Sequence, residues 1–136
     1  RRLFIQYFMP NYEEAIHILH KGGKWVGNHL DDDNTPFMDL IADTAFDFII
    51  AYDAGISPPV REARRAWPGK TLWLNYPSSW HLLSLEEVKQ KTIQLIEEAA
   101  PGNGFIMGRT EDMPPERLLV NCRAIMDGID AYADGR

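Results

Sequence analysis

His29 and Asp31 stand two residues apart where a short apolar run, Lys24-Trp25-Val26-Gly27-Asn28-His29, gives way to an acidic loop. A neutral imidazole and a carboxylate can share one metal ion, and oxygen ligands favour a harder ion than thiolates do. Glu111 follows another such run, Gly104-Phe105-Ile106-Met107-Gly108, and is the obvious third ligand. His29, Asp31 and Glu111 are therefore the candidate catalytic and metal-ligating set. Arg109, in the same loop as Glu111, can bind a carboxylate or phosphate on a substrate or pair with a neighbouring acid. The stretch Asn75-Tyr76-Pro77-Ser78-Ser79-Trp80-His81 is dense in hydrogen-bonding and aromatic groups. Its rings can line a small-molecule pocket, Tyr76 among them, while Asn75 and Ser78 orient the ligand. No Gly-x-Ser-x-Gly elbow accompanies these serines, so a serine nucleophile is not indicated.

Each candidate has a plainer reading. Asp31-Asp32-Asp33 can be a polar loop in which Asp33 or Asn34 caps the next helix and Asp32 faces solvent. Asp112 suits the start of a helix, where the dipole favours negative charge, which leaves Glu111 free to point elsewhere. His81 reads equally well as an ordinary surface residue. His17 and His20 fall on an early helix and read as structural, and Trp25 and Trp73 sit within strands, where core packing is the default. Arg61, Arg64 and Arg65 form the only local basic group and read as a solvated helix face.

The elements that would position these side chains repeat one unit. Four apolar runs, ending near His29, Ala51, Asn75 and Gly108, are each followed by a polar cluster and then a helix-forming stretch. Strand–loop–helix units repeated in this way build a parallel sheet, and right-handed crossovers bring every strand's C-terminal end to one edge. The first helix runs from Asn11 or Tyr12 to Lys21 and stops at Gly22-Gly23. A second spans Thr35 to Thr44, a short third spans Val60 to Trp67, and a fourth opens on the capping box Ser84-Leu85-Glu86-Glu87 and ends at Pro101-Gly102. The last follows Pro114-Pro115 and carries Leu118, Cys122, Ile125, Ile129 and Tyr132 on one stripe, so Cys122 reads as a core residue and not a reactive thiol.

These loops resemble the C-terminal half of the uroporphyrinogen decarboxylase superfamily, which includes corrinoid-dependent methyltransferases. The matching stretches are Gly22-Gly23-Lys24 leading to His29, Leu40-Ile41-Ala42-Asp43-Thr44, Pro68-Gly69-Lys70 before the run ending in Asn75, and Gly104 to Gly108 followed by Pro114-Pro115-Glu116 and Asn121. They span nearly the whole chain in the family's order. The resemblance implies the last four units of a (β/α)8 barrel plus the preceding helix, a single half-barrel domain over residues 1–136. Zinc-dependent methyltransferases of the family carry His-x-Cys after the strand matching the first one here, and a second Cys after the last strand. This chain has His29-Leu30-Asp31 and Gly108-Arg109-Thr110-Glu111 instead, so neither thiolate is present. Family decarboxylases have a Gly-His-Gly element in the last loop, and Arg109 falls near its histidine.

The resemblance implies metal-assisted methyl transfer between a small substrate and a corrinoid carried by a partner protein, with zinc or another divalent ion as cofactor. The alternatives are a porphyrinogen decarboxylase, a lyase, and a non-catalytic binding module. A porphyrinogen bears many carboxylates, whereas the loops offer Asp31, Asp32, Asp33, Asp53, Glu111 and Asp112 against Arg109 alone among fixed positive charges.

Composition narrows the field further. The chain has 136 residues and a net charge of −6, with no basic stripe of the kind a nucleic-acid surface needs. A closed barrel takes about 250 residues, so the chain reads as a fragment that is inactive alone and pairs either with a second copy or with a missing N-terminal half. A single cysteine excludes an intrachain disulfide and fits a reducing compartment. With no run near the roughly 20 apolar residues that span a bilayer, a soluble, cytoplasmic protein is expected.

Overall fold

Four parallel strands form one sheet in the order β1-β2-β3-β4. They are β1 (Gly27–His29), β2 (Phe48–Asp53), β3 (Thr71–Tyr76) and β4 (Phe105–Arg109). Helix α1 (Met9–Lys21) precedes β1, and α2 (Met38–Asp43), α3 (Val60–Ala66), α4 (Leu85–Ala99) and α5 (Leu118–Asp134) follow the four strands in turn. This computed structural model describes residues 1–56, 58–100, 104–109 and 112–135. The repeat is the half-barrel arrangement of βα units expected from the sequence. Among the described residues no helix is long and apolar enough to cross a membrane.

Strand register explains which side chains meet. One face carries Asn28, Ile49, Leu72 and Phe105 as a row, with Leu74 and Met107 level on the next. Ile49, Leu72, Leu74 and Tyr52 are fully buried there beside Val60, Ala63, Val88 and Leu95 of the helices. The other face carries His29, Ile50, Trp73 and Ile106 as a row, followed by Asp53, Asn75 and Gly108. Trp73 is 37% exposed and Ile106 44%. Helices therefore cover one side only, whereas parallel sheets are ordinarily covered on both.

Several elements differ from the sequence reading. The segment Lys24–Val26 is not strand, and Trp25 is 81% exposed instead of packed in the core. The physical cause is Asp47, whose carboxylate accepts the Val26 amide at 2.7 Å, so the ladder begins only at Gly27. His20 closes the same corner, with Nε2 2.8 Å from Asp47 Oδ2, the structural part foreseen for it. The second helix begins as a 3-10 turn, Thr35–Phe37, because Asp33 accepts the Thr35 amide at 2.9 Å and Phe37 leaves helical geometry (ψ 4°) before α2 starts. The Ser84–Glu87 capping box is present in both directions.

Arg64 overturns the solvated-face reading of its cluster. It is 7% exposed and donates from Nε to the Ala99 carbonyl at 2.7 Å, from Nη1 to Lys70 at 2.9 Å and from Nη2 to Gly104 at 2.8 Å. One guanidinium thus closes the end of α4 and both loops that lead into β3 and β4. Lys70, 8% exposed, does the same one unit earlier through the carbonyls of Thr44 and Phe46. Burial lowers the pKa of both cations.

Candidate active site

The C-terminal ends of the four strands open into a cleft of about 730 Å³. β1 supplies His29, with Asp31 and Asp32 from the loop after it; β2 supplies Ile50, Ala51 and Asp53, with Ile56 beyond; β3 supplies Trp73 and Asn75, with Ser78 beyond; and β4 supplies Arg109, with Asp112 beyond. Topology alone brings these residues together, since they are scattered over more than half the sequence.

The floor is apolar and the rim polar. Ile50 and Trp73 share the row of His29, while Asp53 and Asn75 form the row above it. Gly108 completes that upper row, and a Cβ there would lie 2.9 Å from Trp73 Nε1 and 3.1 Å from the Leu74 carbonyl oxygen. Glycine is what lets the indole lie against β4. A register shift between Ile50 and Tyr52 puts Ala51 at φ 60°, an uncommon conformation for a residue with a Cβ. This bulge lets Ile49 and Tyr52 both face the helices and returns Asp53 to the cleft.

The structure sorts the sequence candidates. His29, Asp31, Asn75, Ser78 and Arg109 line the cleft. Tyr76 does not: it is fully buried on the helix face, where its hydroxyl donates to the Val88 carbonyl at 2.9 Å. Period-two alternation from Asn75 dictates that placement. His81 is also fully buried, not a surface residue. Asp112 accepts a hydrogen bond from the Ser78 hydroxyl at 3.2 Å, a bond that joins the β3 and β4 loops. Glu111 lies outside the described residues. Trp73 is the principal cleft residue that the site reading missed, whereas Asp53, counted among the loop acids, lines the cleft from the end of β2. The strand pattern could have supplied Trp73, which is two residues before Asn75 and so shares its face.

His29 Nδ1 stands 3.4 Å from Asp31 Oδ2, and both side chains are open to solvent, at 61% and 75% exposure. Two donors on one tetrahedral zinc ion, each about 2.0–2.1 Å from it, lie about 3.3 Å apart, so the pair has the spacing for one edge of a metal site. Among the described residues no group of three His, Cys, Asp or Glu side chains is gathered to hold an ion. Cys122 is half-buried on α5 and is not among the residues that line the cleft. No family model matches the chain, and no curated protein matches it.

Proposed function

We propose that the chain is part of a uroporphyrinogen decarboxylase-like enzyme that binds a small substrate in this cleft and belongs to the methyl-transferring branch, acting with a corrinoid-bearing partner protein. One observation carries the reading: His29, Asp31, Asn75, Ser78 and Arg109 meet at the C-terminal edge of a parallel βα sheet, the edge where such folds do their chemistry. The charge balance favours this branch over porphyrinogen decarboxylation. Asp31, Asp32, Asp53 and Asp112 line the cleft against Arg109 and His29, a poor reception for a polycarboxylate.

In this reading Trp73 and Ile50 hold the apolar part of the substrate, and Asn75, which can both donate and accept, fixes a polar group above them. His29 and Asp31 would hold a divalent ion, which as a Lewis acid would make a substrate thiol or oxygen a better nucleophile. Arg109 at the rim offers a planar donor pair to an anionic substituent.

Metal titration by calorimetry on the full-length protein tests the proposal. Zinc or manganese should bind at neutral pH with modest affinity, and binding should weaken on acidification because a protonated imidazole cannot ligate. His29→Ala should abolish it, and Cys122→Ala should leave it intact. Absence of divalent binding at neutral pH, or binding that depends on Cys122 and not His29, would leave a half-barrel without assigned metal chemistry.

The partner reading rests on the uncovered sheet face. Trp25, Asp47, Phe48, Thr71, Trp73 and Ile106 frame a second, largely apolar hollow of about 210 Å³ there. Eight parallel strands close a barrel, and two copies of four supply eight. The isolated chain should therefore sediment as a dimer at micromolar concentration, and Trp73→Asp should shift it toward monomer. A stable native monomer that unfolds cooperatively would overturn this.

A further inference from the structure

His81 lies in the 3-10 helix Ser78–Leu82, which follows β3 directly and sets Ser78 at the cleft. Its side chain is completely buried, and neither ring nitrogen has a hydrogen-bond partner among the described residues. The imidazole stacks on Tyr76, with centroids 5.0 Å apart and planes 29° from parallel. The Tyr76 hydroxyl is committed to the Val88 carbonyl, and the His81 carbonyl accepts from Asn121 Nδ2 at 2.8 Å, which ties the segment to α5. The turn is held by this stack, by the Asn121 bond and by the edge of Trp80 against Tyr76, with ring centroids 5.4 Å apart. It is held as well by Arg117 Nη2, which donates to the Leu83 carbonyl at 2.5 Å, and by the Ser78 hydroxyl on Asp112.

Among the described residues, the charges that act on the ring are cationic. Arg109 approaches from β4 and Arg117 from the 3-10 turn Pro115–Arg117 ahead of α5. From α4, Lys91 sits over the neighbouring Trp80 ring at 4.9 Å. Tyr76, from β3, is neutral at physiological pH, its pKa raised to about 12 by burial. Among the described residues, the carboxylate that meets this segment is Asp112, which is bonded to Ser78 and not to the imidazole. A proton on His81 would create a buried cation with two N–H groups and no acceptor for either among the described residues, with the Arg109 and Arg117 charges acting against it. Such a state is costly, so the proton is taken up only when the ring leaves its site.

We propose that His81 is a proton-sensitive latch on the cleft wall: protonation releases Ser78–Leu82 from Tyr76 and α5, draws Ser78 away from Asp112, and opens the cleft between the β3 and β4 loops. This holds whatever ligand the cleft takes. The direction follows from linkage. Burial, then Arg109 and Arg117, hold the closed-state imidazole below its ordinary value of 6.5. The open form binds a proton that the closed form does not, so closure is strongest above about pH 6.5 and weakens below it. The opening equilibrium should grow about tenfold per pH unit, one proton's worth, until the closed-state pKa is reached.

Hydrogen exchange on the native chain from pH 7.5 to 5, corrected for intrinsic rates, reads the opening directly. The Trp80 and Leu83 amides, bonded to the Pro77 and Trp80 carbonyls, should be flat above about pH 6.5 and lose about tenfold protection per unit below it, while mid-α4 amides hold steady. His81→Phe keeps a ring against Tyr76 and removes the proton site, so its profile should be flat throughout. Equal slopes in the two proteins, or no slope in the native chain, overturn the latch. Should His81→Phe fail to fold, the native His81 ring resonance decides. A ring that titrates freely near pH 6.5 within the closed state overturns the proposal, and one that stays neutral until the segment opens supports it.

Discussion

Arg64→Met is expected to lower the unfolding free energy by about 3–5 kcal/mol, with the folded topology retained in strong folding buffer. Methionine nearly matches the aliphatic stem, so the loss is concentrated in three hydrogen bonds to the Ala99, Lys70 and Gly104 carbonyls. The Ala99 carbonyl belongs to a helix end and the Lys70 carbonyl to loop backbone, whereas the Gly104 carbonyl also accepts the Leu72 amide at 2.8 Å. A buried acceptor stripped of a charged donor costs more than an average bond contributes, and here the Ala99 and Lys70 carbonyls are stripped together while Gly104 keeps the Leu72 amide. Arg64→Lys should recover less than half of the loss, because an ammonium is a point donor that cannot span three carbonyls around a planar fork. Urea unfolding followed by circular dichroism measures both variants. A loss below about 1 kcal/mol for Arg64→Met would mean that water replaces the guanidinium, and that the interior there is wetter than its 7% exposure implies.

The sequence revealed the βα repeat because its signals are local. Ser84 and Glu87 announce α4, Gly22-Gly23 ends α1, and apolar runs bounded by polar clusters mark strands whatever their partners. Arg64 was misread because nothing within its own helix distinguishes it from Arg61 and Arg65. Its partners lie 6, 35 and 40 residues away, so only the packed structure singles it out. Trp25 was misread for a related reason, since the side chain of Asp47, 21 residues on from Val26, satisfies the Val26 amide that a strand would otherwise have paired.

The site divides along the same line. His29, Asn75 and Ser78 could be placed at the cleft from topology, because a strand's last residues must reach the sheet's C-terminal edge. Tyr76 follows the wrong parity for the cleft, and the alternation that carries Asn75 outward carries Tyr76 into the helices. Asp53 was legible as a loop acid, but the bulge at Ala51 that turns it to the cleft was not, because alanine gives no warning of a positive φ. The burial of His81 required β3, α4 and α5 to be assembled around a single 3-10 turn.

Gly128 tests how closely the helical layer is packed, and here propensity and packing make opposite predictions. In an isolated helix Gly→Ala is stabilising by about 1 kcal/mol. In α5 a Cβ on Gly128 would lie 2.8 Å from Thr92 Cβ and 2.9 Å from the Lys89 carbonyl oxygen. Thr92 cannot step aside, since it is fully buried and its hydroxyl is bonded to the Val88 carbonyl at 2.9 Å. The Lys89 oxygen is helix backbone, so relief requires α4 and α5 to separate. Overpacking of this kind costs about 1–3 kcal/mol, which should make Gly128→Ala a net loss of roughly 1 kcal/mol and place Gly128→Val near 3 kcal/mol. Gly27 provides the contrast. Its added Cβ would clash even more closely, 2.0 Å from Phe48, but the obstruction is the far end of a ring on the uncovered sheet face, which can swing away. Gly27→Ala should therefore stay within about 0.5 kcal/mol of the native chain in a monomeric state. If Gly128→Ala instead stabilises the protein by its full propensity gain, α4 and α5 are not in contact at this crossing, and the α5 anchor that holds His81 through Asn121 fails with it.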